Sequence, residues 1–241
     1  MSAVVHGARL LLATGVLALV AACAPLGNAH PEYPVGRARL VLAPGQWVDL
    51  GHSEESLPLL PELGATVPLQ TRIVGLRGPG QEWLAVLRIQ TNSTNFPPHN
   101  PTLWTGSCPA QQGVWVEDAT AASPVRIDCL RFKRWANNRD DWLGKNHPDW
   151  AQWLGMHQVQ LTRPASYISY RYATEGGAYV AVTALVDQRL LIPKTRSNDE
   201  FLRSGQPAQD WMGQLRTAVQ QSVGMLDGHL AVPAFPLAVS P

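Results

Sequence analysis

Val67-Pro-Leu-Gln-Thr-Arg-Ile-Val-Gly-Leu76, the turn Arg77-Gly-Pro-Gly80, and Glu82-Trp-Leu-Ala-Val-Leu-Arg-Ile-Gln-Thr91 together decide how this chain folds. Two runs rich in aliphatic and β-branched residues flank a Gly-Pro-Gly break, the signature of an antiparallel hairpin. In the second run Trp83, Ala85, Leu87 and Ile89 alternate with other residues, which sets them on one face of a strand.

The period of two recurs outward from this hairpin. Arg37–Leu42 and Gln46–Leu50 read as strands around the Pro44-Gly45 turn, and Val114–Glu117 and Val125–Phe132 as two more. His157–Arg163, Ser166–Ala173 and Ala178–Leu191 continue the pattern, the last two separated by Gly176-Gly177. Tyr179–Leu185 is almost continuously apolar, which suits a central strand covered on both faces. Pro58 and Pro61 break the segment between Leu57 and Leu63, and Asn92–Ser107 reads as a polar, proline-rich loop.

Helical signals interrupt twice. Asn146-His147-Pro148-Asp149 reads as a helix start, with proline in the first turn and an acid at the positive end of the dipole, and Gly155 as its stop. Ser197-Asn-Asp-Glu200 offers a second start. From Pro207 onward, Trp211, Leu215, Ala218, Val219, Ser222 and Leu226 form one stripe of an amphipathic helix suited to lie across a sheet. No repeat or change of composition divides the chain. The expectation is a single α+β domain over residues 37–241: a mostly antiparallel sheet of six or more strands, with one or two C-terminal helices packed on one face. The tail from Gly228 receives no element.

Residues 1–23 carry a different message. Arg9 precedes the uncharged apolar run Leu10–Val20, which has the length of a signal-peptide core and is too short to span a bilayer. Leu19-Val-Ala-Ala-Cys23 follows, and it resembles the lipobox of bacterial lipoproteins. The resemblance implies cleavage after residue 22, acylation of Cys23 and, with Ala24 rather than Asp next in line, residence in the outer membrane facing the periplasm. Several acyl chains make such an anchor effectively permanent. Residues 23–36, with prolines at 25, 31 and 34, read as an extended tether.

Cleavage leaves 219 of the 241 residues, with 18 Lys and Arg against 18 Asp and Glu. That balance gives no electrostatic footprint for nucleic acid. Once Cys23 takes the lipid, only Cys108 and Cys129 remain. In an oxidising compartment a lone pair reads as one disulfide, and no nucleophile signature surrounds either residue.

The chain carries no phosphate loop, dinucleotide fingerprint, nucleophile elbow or zinc-helix motif, so no cofactor and no metal is expected and the catalytic residues are unknown. Asn137-Asn-Arg-Asp-Asp141 lacks the alternating oxygen ligands and closing glutamate of a calcium loop. Four of the nine tryptophans, Trp135, Trp142, Trp150 and Trp153, crowd into nineteen residues among amides and carboxylates. Indoles stack on sugar faces, so Trp142, Asp140, Asp141 and Asn138 form a candidate ligand surface at a loop tip, with Trp150 and Trp153 as its buried support; core packing of all four is the plainer alternative. The leading functional expectation is a non-catalytic envelope lipoprotein that engages the membrane through its lipid and a protein or glycan partner through its domain. The rival is a periplasmic hydrolase acting on cell-wall glycan or peptide, which requires convergence of groups such as His52, His99, His147, His157, Asp140 and Asp141 in one pocket.

Overall fold

A computed structural model describes residues 31–60, 66–93, 103–104, 108–120, 126–137, 140–161, 164–191, 197, 199–200, 206–225 and 227–237. The leader, Cys23, Asn138 and His99 lie outside them. Among the described residues the order is β1 (Glu32–Val35), β2 (Ala38–Val41), β3 (Gln46–Leu60), β4 (Thr66–Arg77), β5 (Trp83–Asn92), β6 (Leu103–Trp104), β7 (Trp115–Asp118) and β8 (Ile127–Lys133). Then come α1 (Trp142–Asn146), α2 (Pro148–Met156), β9 (Ala165–Ala173), β10 (Tyr179–Asp187), α3 (Gln188–Leu191), α4 (Gln206–Gly224) and β11 (His229–Ala231). The large sheet has eight antiparallel strands in the order β6-β3-β4-β5-β10-β9-β8-β7, and a three-stranded sheet has the order β1-β2-β11. No helix among the described residues is long and apolar enough to cross a membrane.

The β4–β5 hairpin closes through Gly78 N–H donating to Glu82 O and Gln81 N–H to Gly78 O, both 2.9 Å. Its register steps from Leu76↔Ala85 to Arg77↔Trp83, so one extra residue, Leu84, bulges out of the second strand. A bulge reverses the side chains beyond it. Trp83 therefore packs on the face opposite Ala85, Leu87 and Ile89, contrary to simple alternation. Its ring lies where a Cβ on Gly75 would be, which makes glycine a requirement there. β10 runs between β5 and β9, and its residues are buried except at Thr183, as its continuous apolar run implies.

One face of the large sheet is covered by α4 and the small sheet. Trp211, Met212, Leu215 and Val219 of α4 join Leu40 and Leu230 of the small sheet in a core with Leu87, Ile89, Val182, Ile168 and Phe132. Trp211 Nε1 donates to Pro233 O at 3.0 Å, and its ring stacks on Phe235. A polar clamp fixes the helix to the sheet. Arg216 donates to Glu117 Oε1 at 2.7 Å and Asp128 Oδ1 at 2.9 Å, while Gln220 donates to Asp128 Oδ2 at 3.1 Å. Tyr170 also donates to Asp128 Oδ1, at 3.0 Å, and burial plus that carboxylate's charge push its hydroxyl well above the ordinary tyrosine range. The tyrosine thus remains a donor.

Several expectations need correction. Arg37–Leu42 and Gln46–Leu50 do hold strands about the Pro44-Gly45 turn, but the two belong to different sheets: β2 pairs with β1 and β11, whereas β3 pairs with β4. The proposed tether overlaps β1, because Glu32–Val35 find ladder partners on Arg39–Val41 and Ala38. His157–Leu161 form no strand. α2 ends with Gln158 in the left-handed region (φ 55°), and Val159 N–H donates to Leu154 O at 2.9 Å. That helix closure consumes the segment's backbone, and Val159 is apolar because it packs beneath α2. The strand read through Leu191 stops at Asp187, whose carboxylate accepts from Arg189 N–H at 2.9 Å and starts α3. The unplaced tail supplies β11.

Candidate functional site

Among the described residues, apolar cover of the second face of the large sheet lies at its two ends. At one end α1 and α2 pack Trp142, Leu143, Trp150 and Leu154 against Val86, Tyr167 and Leu185. At the other, Leu69, Ile127, Cys129, Ala173, Tyr179 and Ala181 make a separate cluster, joined by Cys108. Cys108 and Cys129 are disulfide-bonded, with Cα atoms 5.6 Å apart.

Between these clusters runs a polar belt created by register. Thr183 pairs with Arg88 on one side and Ser169 on the other, and Ser169 pairs with Arg131. Arg88, Thr183, Ser169 and Arg131 thus form one row across four strands, its ends roughly 14 Å apart at three strand spacings. The next row runs Gln90, Ala181, Arg171 and Cys129. The belt floors a cleft of about 520 Å³, walled by Asn146–Trp150 on one side and Pro109 on the other.

Each arginine in the belt has a distinct setting. Arg88 Nη2 donates to both oxygens of Glu55, at 2.8 and 2.9 Å. Burial alone would raise Glu55, but Arg88, Thr71 and Gln90 outweigh it and hold the carboxyl below its ordinary range. Arg131 donates to Gln111 Oε1 and Pro109 O, each at 3.1 Å. The disulfide fixes the adjoining Cys108 to β8, so it helps set that wall of the cleft. Burial and then the charge of Arg171 lower Arg131 from its ordinary value. Arg171 donates to Cys129 Sγ at 3.9 Å.

His147 caps the start of α2 without a side-chain cap bond, and its ring stacks on Tyr167 with centroids 4.7 Å apart. Burial, followed by the charges of Arg131, Arg88 and Arg171, holds its pKa down to about 4. The imidazole is therefore neutral at pH 7.

The tryptophan surface falls differently from its sequence reading. Trp142 is only 9% exposed, with its ring edge-on to Tyr167 at 5.1 Å and to His147 at 5.4 Å, so it belongs to the core and presents no stacking platform. The reason is α1: Asp141 caps this short helix by accepting from Gly144 N–H, which turns the following indole inward. Asp140 is exposed at the approach to α1. Trp150 is buried and Trp153 partly so, while Trp135 is 43% exposed with the Arg134 guanidinium over its ring. Asn137 bonds Leu161 O and Ala165 N–H, and so serves the loop. No group of three or more His, Cys, Asp or Glu suited to a metal occurs among the described residues.

Of the groups named for a convergent hydrolase pocket, His147 alone among the described ones lines the cleft. His52 lies on β3 beside β1, His157 stacks on Trp153 at the end of α2, and Asp140 and Asp141 precede α1. Sequence reading missed the arginine belt. Its signal is a polar residue at alternate positions inside otherwise buried strands, Arg88 and Gln90, Ser169 and Arg171, and only register shows that they align. A second recess, of about 340 Å³ under α1 and α2, is lined mainly by apolar groups such as Leu143, Leu154 and Val159. No family model, no curated protein and no solved structure matches this chain.

Proposed function

We propose that this chain is a lipid-anchored envelope protein whose domain is a binding module, with the cleft on the second face of the large sheet as its ligand site. The anchor rests on Leu19-Val-Ala-Ala-Cys23 and the apolar run before it. The observation that carries the binding role is the polar belt that floors the cleft. A sheet with both ends of a face sealed by apolar clusters leaves its middle row of Arg88, Thr183, Ser169 and Arg131 bordering a cleft. Concave sites with a few convergent polar groups on rigid elements are the usual form of ligand sites. The belt offers hydroxyls and guanidiniums, groups that hold and orient a ligand.

Two experiments test the two halves. Cys23→Ser should abolish lipid labelling and release the protein from the membrane fraction; continued labelling would end the anchor reading. A photoreactive residue at Ser169 should capture a specific adduct in intact cells, whereas the same residue on the outer side of α4, at Gln214, should not. Equal capture at both positions would overturn the cleft assignment.

A further inference from the structure

Taking the cleft as the ligand site, we infer that its ligand carries a carboxylate or phosphate group, and that Arg131 and Arg171 grip those anionic oxygens above the hydroxyls of Ser169 and Thr183.

The charge arrangement favours an anion at one end of the belt. Glu55 already neutralises Arg88 through two hydrogen bonds. No carboxylate among the described residues lies within salt-bridge distance of Arg131, whose terminal nitrogens meet only the neutral acceptors Gln111 Oε1 and Pro109 O. Guanidinium groups match carboxylate and phosphate geometry, and their bonds to such anions are the strong, charge-assisted kind. Ser169 and Thr183, their hydroxyl oxygens 3.4 Å apart, lie in register beside Arg131 and add further donors.

Unpartnered polar atoms gather at the same place. Among the described residues, three of the six buried side-chain nitrogen and oxygen atoms without a hydrogen-bond partner, Arg131 Nε, His147 Nε2 and Trp150 Nε1, belong to residues that line the cleft. Buried polar groups are satisfied in the great majority of cases, so such a concentration points to a ligand or solvent that completes them. Trp150 is only 4% exposed.

The helical wall adds to the positive character. Pro148, Asp149 and Trp150, the opening residues of α2, border the cleft, so the helix presents its positive end there. Among the described residues, two carboxylates oppose this field: Glu55, which is spent on Arg88, and Asp149, which is exposed at the rim. The depressed pKa of His147, to about 4, follows from burial and from the three arginines, which agrees with a positive potential inside the cleft. The volume of about 520 Å³ exceeds what a lone inorganic anion fills, so the anionic group belongs to a larger organic molecule.

The test uses the mature protein in neutral detergent, with sodium phosphate, sodium acetate and N-acetylglucosamine titrated at constant ionic strength made up with chloride. The readouts are the Arg131 Nε–Hε resonance and the pKa of His147. Saturable shifts with phosphate or acetate, beyond those with chloride, together with an upward move of the His147 pKa, are expected. The stronger of the two anions identifies a tetrahedral or a planar group. Read at the His147 resonances, which every variant retains, Arg131→Gln and Arg171→Gln should each weaken the response about tenfold, and Arg131→Lys should restore part of it, while Arg126→Gln on the distant Glu175 pair should leave it unchanged. Responses to the anions no larger than to chloride overturn the inference. If N-acetylglucosamine alone shifts these resonances, the anion is refuted and the cleft survives as a site. If no probe shifts them and Ser169 captures no adduct in cells, the cleft reading falls as well.

Discussion

The two faces of the large sheet are made from alternate residues of the same strands, yet among the described residues one meets a continuous apolar core and the other carries a polar cleft in its middle. On the α4 side, Val180, Val182, Ala184 and Val186 of β10 are all apolar and meet one continuous core. On the other side Tyr179, Ala181, Thr183 and Leu185 break that continuity at Thr183, and β9 and β8 break at the same row with Ser169 and Arg131. A single polar residue in one strand is tolerated anywhere. Polar residues aligned across four strands prevent a helix from settling there, because burying guanidiniums without partners costs more than apolar contact returns. The open row is thus written into register, and α1 and α2 stop at its edge.

The sharpest test of this contrast is tryptophan removal on each face. Trp211→Ala should cost about 3–5 kcal/mol, since a nearly fully buried indole leaves a cavity. Trp142→Ala should fall at or just below the low end of that range, about 3 kcal/mol, because its neighbours include the cleft wall residue His147 and can relax toward the opening. Urea unfolding measures both. A Trp142 cost within about 0.5 kcal/mol of zero would return that residue to the surface and restore the stacking platform.

Next in size is the bridge that shapes the far wall of the cleft. Replacing Cys108 and Cys129 together by Ser should lower stability by about 2–5 kcal/mol. It should also loosen Pro109 and Gln111 from Arg131, and ligand-independent broadening of the Arg131 side-chain resonance would report this. Unchanged stability and an unchanged Arg131 signal would show that the wall stands without the bridge.

The smallest expected effect is the pH dependence due to His147. Its folded pKa of about 4 lies below the ordinary 6.5, so the unfolded chain takes up a proton first as pH falls. The stability from this group is complete above about pH 6.5 and is lost on descending toward 4. The difference in urea midpoint between pH 7 and pH 4.5 should shrink in His147→Gln. An equal pH dependence in both proteins would mean that burial and the belt do not hold His147 neutral in the fold.

The hairpin, the central strand β10 and the α4 stripe were legible because each is a local pattern of apolar periodicity. The inward turn of Trp142 was not, since it depends on Asp141 adopting a left-handed conformation (φ 48°) to cap α1. The reversal of Trp83 was hidden for a similar reason, as a bulge leaves no mark on periodicity. The arginine belt illustrates the deeper limit. Arg88, Arg131 and Arg171 are separated by long stretches of chain, and each looks like an ordinary solvent-facing strand residue. Their meeting is a product of topology, which alternation cannot report.

The pairing of β11 with β2 has a further consequence, for when the fold can be completed. His229 lies opposite Arg39, about 190 residues earlier, and the backbone at Gly228 comes so close to Arg37 O that any Cβ there would clash. Contacts of such separation carry a large loop-closure cost and slow folding. The small sheet over the α4 core thus cannot close until β11, which follows α4, is available to pair with β2. Until β11 arrives, β1 and β2 lack the parallel partner that completes the small sheet over α4.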